Sequence, residues 1–234
     1  VLAGADICDI SHTLEYQIKA LELLEEAVLD GRLPLEVLDE KVERILKYKN
    51  QTLPYLEKYF YNQEMKFSEE NNQLAQTIVD NSLTHVLGEN VVLTPNTLVI
   101  APVAMAKTII EDEFDDRNLA KVLRKEFKGL DVRELSLTDE FTSDVVSNLD
   151  KYDQVILFSY NAATSKKQAQ FINQVLSQKD NTTVISLKGP MDYHKYDNLK
   201  NYLCLYEYTP NSIRTVVKYF KNELLPKGKL TIKL

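Results

Sequence analysis

Between residues 84 and 220, short apolar segments alternate with amphipathic ones, and this alternation restricts the possible folds more than any other feature. Segments such as VILF and TVISL carry apolar residues on both faces, which is typical of strands in a parallel sheet covered by helices on each side. Strand–helix alternation favours right-handed crossovers and a three-layer α/β/α sandwich with a mostly parallel sheet. The predicted strands are Thr84–Leu87, Leu98–Val103, Val132–Leu135, Gln154–Ser159, Thr183–Leu187 and Tyr202–Tyr206.

Helices are predicted between these strands from the spacing of their apolar residues and from their end signals. Ser68 is a plausible N-cap for a first helix, because acidic residues follow it in the first turn. Thr209 is followed by proline at the first helical position. The sandwich domain is therefore predicted over residues 68–234. The other predicted helices are Asn118–Lys128, Asp139–Leu149, Lys166–Gln178 and Pro210–Asn222.

The first 67 residues have a different pattern. Residues 1–13 are predicted to form a short apolar strand that runs into a polar loop, and two amphipathic helices follow, with Gly31 and Pro34 marking the break between them. The second helix is predicted to end near Lys49, and residues 50–67, which contain Pro54 and no glycine or serine, are predicted to be a linker that packs on a surface. The expected buried stripes are Ile18, Leu21, Leu24 and Val28 in the first helix, and Leu38, Val42, Ile45 and Leu46 in the second.

Composition excludes several classes of protein. The net charge is −7 and the basic residues are scattered, which argues against nucleic acid or an anionic membrane as a partner. No apolar run approaches the roughly 20 residues of a membrane span. Cys8 and Cys204 are too few for a disulfide framework. Because the chain opens with Val1 inside a predicted strand, we expect that residue 1 is not the natural start. The cellular location stays open, and a cytoplasmic location is favoured over a secreted or cell-wall-associated one.

Motifs for cofactor or metal chemistry are not found in the sequence. The six glycines do not cluster, so neither a dinucleotide-binding fingerprint nor a phosphate-binding loop is present. No cysteine or histidine lies at zinc-ligand spacing, and no cofactor or metal is predicted. His85 and His194 are interpreted as packing or solvated residues. Ser159 and Ser186 lie at or near strand ends but lack the G-x-S-x-G turn of a serine nucleophile.

Three stretches resemble glycoside hydrolase family 3, and specifically its β-N-acetylhexosaminidase branch. The first is AGADICDISHT with AVLDGRLPLEVLDEKVERILKYK, which is similar to the end of the family's TIM barrel. The second is NQLAQTIVDNSLTHVLGE, which is similar to the opening of the C-terminal domain. The third runs from VILFSYNA through VISLKGPMDY and YEYTPNSIRTVVKYF to LPKGKL, and includes Lys188, Pro190 and Asp192 where the family commonly has K-x-P-x-D. Thr231 stands where the family usually has proline.

This resemblance implies a particular division of the chain and of its function. Residues 1–49 correspond to the last strand and helices of a barrel that needs about 250 residues, so most of the barrel domain is expected to be missing. The catalytic Asp and the Asp–His proton donor implied by the family lie before residue 1, and no catalytic residue is assigned. Ser11 and His12, at the end of the predicted barrel strand, are the candidate substrate-binding residues. The implied substrate of the full-length protein is a glycan with terminal N-acetylglucosamine, such as peptidoglycan-derived material.

Two other hypotheses remain open. The chain could be a stand-alone carbohydrate-binding or structural module whose ancestor lost its barrel. It could also be an unrelated flavodoxin-like domain with a helical N-terminal extension, although the missing glycine loops count against this third hypothesis.

Overall fold

The computed structural model describes residues 1–11, 13–60, 69–102 and 118–233 of the 234-residue chain. These residues divide into two compact units, an N-terminal unit of residues 1–66 and a C-terminal unit of residues 67–234.

The N-terminal unit contains two helices, α1 (Leu14–Leu29) and α2 (Leu35–Phe60). Residues 1–11 form turns and bends, so the strand predicted here is wrong. A strand needs a neighbouring strand for its backbone hydrogen bonds, and the described residues of this unit supply none. Helix α2 also continues beyond its predicted end at Lys49, because Pro54 removes only one backbone donor. Residues 50–60 of the predicted linker are therefore helical, and residues 61–68, including the predicted cap Ser68, lie outside the described residues.

Few side chains of the N-terminal unit are buried. Among its described residues only Leu33 and Lys41 are buried. The Lys41 ammonium lies 3.4 Å from an Asp6 carboxylate oxygen, and the Arg44 guanidinium binds the same carboxylate at 2.8 Å. Ile18 and Leu21, predicted to be buried, are 50% and 69% exposed, so the apolar stripe of α1 is largely unburied.

The C-terminal unit is built around a six-stranded mixed sheet with the order β1-β6-β5-β4-β2-β3. All neighbouring pairs are parallel except β1 with β6, which is antiparallel at the sheet edge. The mostly parallel α/β/α sandwich predicted from the sequence is confirmed. The strands are β1 (Thr84–Leu87), β2 (Thr97–Pro102), β3 (Asp131–Leu135), β4 (Gln154–Ser159), β5 (Thr182–Ser186) and β6 (Asn201–Cys204). The helices are α3 (Glu69–Ser82), α4 (Leu119–Glu126), α5 (Asp139–Ser147), α6 (Lys166–Gln178) and α7 (Pro210–Phe220), with short 3₁₀ helices at Leu149–Lys151 and Pro190–Lys195.

The hydrophobic core lies on both faces of the sheet. On one face, β-strand residues such as Ile156 and Phe158 pack against α4 and α7. On the other face, Val155 and Leu157 pack against α5 and α6. Every residue of β2, β4 and β5 is buried, which explains the two-sided apolar pattern in their sequences.

The C-terminal segment packs against the chain at the start of β1. The backbone amides of Lys227 and Gly228 both donate to the carbonyl oxygen of Leu83. A Cβ atom at Gly228 would lie closer than 3.0 Å to the Thr84 hydroxyl oxygen and to the Ser82 carbonyl oxygen. Only glycine allows this close approach of two backbone segments.

We therefore expect Gly228→Ala to destabilise the C-terminal unit by about 1–3 kcal/mol, the usual cost of overpacking. The urea midpoint of unfolding should fall, with an unchanged slope. Gly189→Ala is the matched control, because a Cβ at Gly189 meets nothing within 4 Å. Equal midpoints for the two variants would contradict the role of this contact.

A polar network joins α3 to α7. The carboxylate of Asp80 accepts hydrogen bonds from the Lys218 ammonium at 2.6 Å and the Thr215 hydroxyl at 2.6 Å, and Gln76 donates to it at 2.8 Å. Partial burial alone would raise the pKa of Asp80, but these hydrogen bonds and the Lys218 charge outweigh it and lower the pKa below its ordinary value.

This shift predicts a loss of stability in acid. A carboxylate whose folded pKa is depressed stabilises the fold at pH values above the unfolded pKa of about 3.9, and this contribution disappears as the pH falls through the folded value. The difference in unfolding free energy between the wild type and Asp80→Asn should therefore be largest near neutral pH and shrink below about pH 4. A difference that stays constant from pH 7 to roughly pH 3 would contradict this assignment.

Candidate functional site

The candidate substrate-binding residues Ser11 and His12 belong to the N-terminal unit. Ser11 is exposed, and His12 lies outside the described residues. The residue before them is held in place, because the Gln17 side-chain amide donates to the Ile10 carbonyl oxygen at 2.8 Å. Since no strand forms at residues 1–11, their substrate-binding role stays a prediction.

The C-terminal unit has its own chemically distinct edge, at the carboxyl ends of the parallel strands. The order β3-β2-β4-β5-β6 reverses between β2 and β4, as in flavodoxin-like sheets. Ligands of open α/β sheets bind outside the carboxyl ends of strands near such a reversal. Among the described residues at this edge, a hydrogen-bonded polar cluster lies at the ends of β4 and β5 and in the segments that follow them.

A buried carboxylate, Asp192, organises this edge. It lies on the 3₁₀ helix Pro190–Lys195 and is 3% exposed. Its side chain accepts hydrogen bonds from the Ser159 hydroxyl at 3.0 Å, from the Ala163 backbone amide at 2.8 Å and, more weakly, from the Ser186 hydroxyl at 3.5 Å. One side chain thus connects the ends of β4 and β5, the loop after β4 and the 3₁₀ helix.

Two buried tyrosines and a buried cysteine lie near Asp192. Burial raises the pKa of the Tyr196 and Tyr202 phenols, so both stay protonated. Burial also raises the pKa of the Cys204 thiol to about 12, which keeps it a weak nucleophile. The Lys188 ammonium lies 5.7 Å from the centre of the Tyr160 ring, within cation–π range.

These contacts make Asp192 a structural anchor. Ser159 and Asp192 are hydrogen-bonded, but a serine nucleophile also needs an adjacent base. His194, two residues beyond Asp192, is exposed. The centre of its ring lies 5.6 Å from the centre of the Tyr193 ring, and the two rings are nearly perpendicular. His85 contacts the Asn201 side chain at 3.3 Å. The K-x-P-x-D motif contains Asp192, but the sequence does not indicate its role, because its partners lie 29 and 33 residues away in the chain.

Within the part of the chain that the structure describes, no group of three or more His, Cys, Asp or Glu side chains could hold a metal ion. A groove between α4 and α7 has an apolar floor and a mostly basic rim that includes Lys125 and Arg214. The acidic rim residue, Glu126, is bonded to Lys221 at 2.6 Å. Over the described residues, no helix is long and apolar enough to cross a membrane.

The fold defines the class of protein to which this chain is similar: a six-stranded, mostly parallel α/β/α domain preceded by a helical segment. Solved structures of glycoside hydrolase family 3 have this fold. A β-N-acetylglucosaminidase from Paenibacillus sp. str. FPU-7 matches 97% of this chain with a TM-score of 0.73 and 23% identity. A fungal multi-domain β-N-acetylglucosaminidase of the same family matches 100% of it with a TM-score of 0.71 and 23% identity. A β-glucoside phosphorylase matches 97% with a TM-score of 0.59 and 19% identity.

The chain spans only part of these structures. It covers 45% of the Paenibacillus chain and 27% of the fungal one. No family model matches the sequence, and no curated protein matches it. The structural likeness therefore establishes a shared fold, in agreement with the sequence motifs that resemble the same family.

The geometry at Asp192 yields a prediction. Asp192→Ala leaves the buried Ser159 hydroxyl and the part-buried Ala163 amide without their acceptor, so we expect a loss of about 2–4 kcal/mol in unfolding free energy. Asp192→Asn keeps an acceptor oxygen and should cost less. The control is Asp197→Ala, an exposed aspartate nearby, for which a change within about 0.5 kcal/mol is expected. Urea unfolding of the three variants tests this, and an Asp192→Ala variant as stable as the control would refute the anchoring role.

Proposed function

We propose that this chain is the C-terminal part of a glycoside hydrolase family 3 protein of the β-N-acetylglucosaminidase branch. Residues 1–49 would be the last segment of its barrel domain, residues 50–67 the connection, and residues 68–234 an accessory α/β/α domain. The observation that carries the proposal is the structural likeness to a family 3 β-N-acetylglucosaminidase over 97% of this chain but only 45% of the other.

The exposed apolar residues of α1 support the proposal that a barrel domain covers this helix. Leu14, Ile18, Leu21 and Leu29 are all at least half exposed. Apolar surface gains about 25 cal/mol per Å² when it leaves water, so a row of such residues on one short helix indicates a face that is covered in the complete protein. Barrel helices have this property, because one side packs on the strands of the barrel.

In the full-length protein, the proposed reaction is hydrolysis of terminal N-acetylglucosamine from a glycan. The proposed substrate class is peptidoglycan-derived fragments, and the proposed process is the recycling of cell-wall material. The retaining mechanism needs a carboxylate nucleophile and a proton donor. The resemblance assigns both to barrel segments that precede residue 1, so these 234 residues would supply no catalytic group. Ser11 and His12 would contact substrate only within the complete barrel.

The alternative proposal is a stand-alone carbohydrate-binding or structural module. The C-terminal unit supports it, because its core is closed on both faces without a further domain. The coding sequence upstream of Val1 distinguishes the two. A K-H-x-x-G segment followed by a T-D-x-x segment supports the enzyme, and a start codon directly before Val1 supports the module.

The purified 234-residue chain should not hydrolyse p-nitrophenyl N-acetyl-β-glucosaminide, because both carboxylate roles would lie elsewhere. The release of p-nitrophenol is measured against a protein-free blank, with the Paenibacillus enzyme as a positive control. Turnover above the blank that is removed by substituting a residue within 1–234 would contradict the proposal. Saturable binding of N-acetylglucosamine oligosaccharides without turnover would favour the module.

A further inference from the structure

The groove between α4 and α7 has the size and the lining of a small-molecule site. Its volume is about 550 Å³, within the range of roughly 300–1,000 Å³ that such sites occupy. The floor is apolar, because the Ile213 side chain is buried and Val122 and Pro210 are partly buried beside it. These three side chains carry no hydrogen-bonding group, so the floor would contact an apolar part of a ligand.

The rim of the groove carries a cation on each wall. Lys125 lies on α4 and Arg214 on α7, and both are exposed. Among the residues that the structure describes, neither of these side chains forms an ion pair. The acidic rim residue, Glu126, is paired with Lys221 at 2.6 Å. The rim is therefore positive in a chain whose net charge is −7, and a ligand of negative charge is favoured there.

Arg214 is held in position by uncharged groups. Its Nε donates to the side-chain oxygen of Gln76 at 2.8 Å, and an Nη donates to the side-chain oxygen of Asn211. The Gln76 amide is itself oriented, because its nitrogen donates to the Asp80 carboxylate at 2.8 Å. A guanidinium has five N–H donors in a rigid fork, and these two bonds orient the fork without neutralising its charge. This arrangement favours bidentate binding of a carboxylate or a phosphate.

We propose that the α4–α7 groove binds a small organic oxyanion, which is a carboxylate or phosphate group joined to an apolar body. The oxyanion binds between Lys125 and Arg214, and the apolar body lies on Val122, Pro210 and Ile213. Pro210 is the first residue of α7, so the positive end of this helix adds to the attraction. Carboxylates and phosphates share this recognition chemistry, and separate probes distinguish them.

This inference goes beyond the proposed function and does not rest on it. The groove is built from two helices of the C-terminal unit, whereas the barrel contact was argued from α1 and from the solved structures. The glycoside of the turnover assay carries neither a carboxylate nor a phosphate. Turnover and oxyanion binding are therefore measured with different compounds, and either proposal can fail alone.

The test is a titration of the isotope-labelled 234-residue chain, monitored through the backbone amide signals of α4 and α7 in nuclear magnetic resonance spectra. Benzoate and phenyl phosphate combine a ring with an oxyanion. Benzamide and phenol supply the ring alone, and acetate and inorganic phosphate supply the oxyanion alone. At least one combined probe should give saturable shifts, with a dissociation constant in roughly the millimolar range for a ligand of this size. Its two single-part counterparts should each bind about tenfold more weakly or less.

Two variants remove one cation from each wall. Lys125→Gln and Arg214→Gln should each weaken binding of the combined probe by about tenfold, the effect of losing one charge-assisted hydrogen bond. Lys125→Gln leaves the contacts of Arg214 with α3 intact, so it tests the proposal even if Arg214→Gln perturbs the fold. Lys167→Gln is the matched control, because it removes an exposed lysine from α6, outside the groove. This control should bind the probe like the wild type.

The outcomes separate the two sources of the oxyanion. Binding of benzoate alone supports the proposal with a carboxylate ligand, and binding of phenyl phosphate alone supports it with a phosphate ligand. Three results would overturn it: combined probes that bind no more tightly than their single-part counterparts, shifts that map outside α4 and α7, or equal binding by Lys125→Gln and Lys167→Gln.

Discussion

The C-terminal unit depends on the burial of β4 from both sides. Its residues alternate between two apolar clusters, with Ile156 and Phe158 in one and Val155 and Leu157 in the other. A strand with no polar face is stable only if helices cover the sheet twice, and right-handed crossovers place successive helices to achieve this. The layers, the mostly parallel strand order and the position of the carboxyl edge all follow from this constraint.

Sequence patterns predicted most of this unit because its elements are defined locally. The bounds of β1, β4 and α6 were predicted correctly, since the apolar residues and the end signals that define each element are close together in the sequence. Asp192 was different. Its importance comes from partners on β4 and in the following loop, and a contact across some 30 residues leaves no periodic signal. Only the K-x-P-x-D resemblance pointed to this residue, and it could not say what the carboxylate binds.

The N-terminal unit was predicted less well, for a physical reason. A barrel strand is stabilised by strands on both sides, so the local pattern of residues 1–13 indicates a strand for which the described residues of this unit supply no partner. The apolar spacing of α1 was interpreted as a buried stripe, yet Ile18 and Leu21 are exposed. The pattern identifies which face is apolar but not whether a partner is present.

The two units therefore give different kinds of information about function. The C-terminal unit closes its own core, and Asp192 binds the hydroxyl and amide groups that it joins at the ends of β4 and β5. The N-terminal unit leaves apolar residues of α1 such as Ile18 and Leu21 exposed. The proposed function accounts for them as residues that would face the barrel strands. The exposed apolar row of α1 is the feature on which the proposed barrel contact depends, whereas the C-terminal unit holds its two apolar clusters together with its own helices.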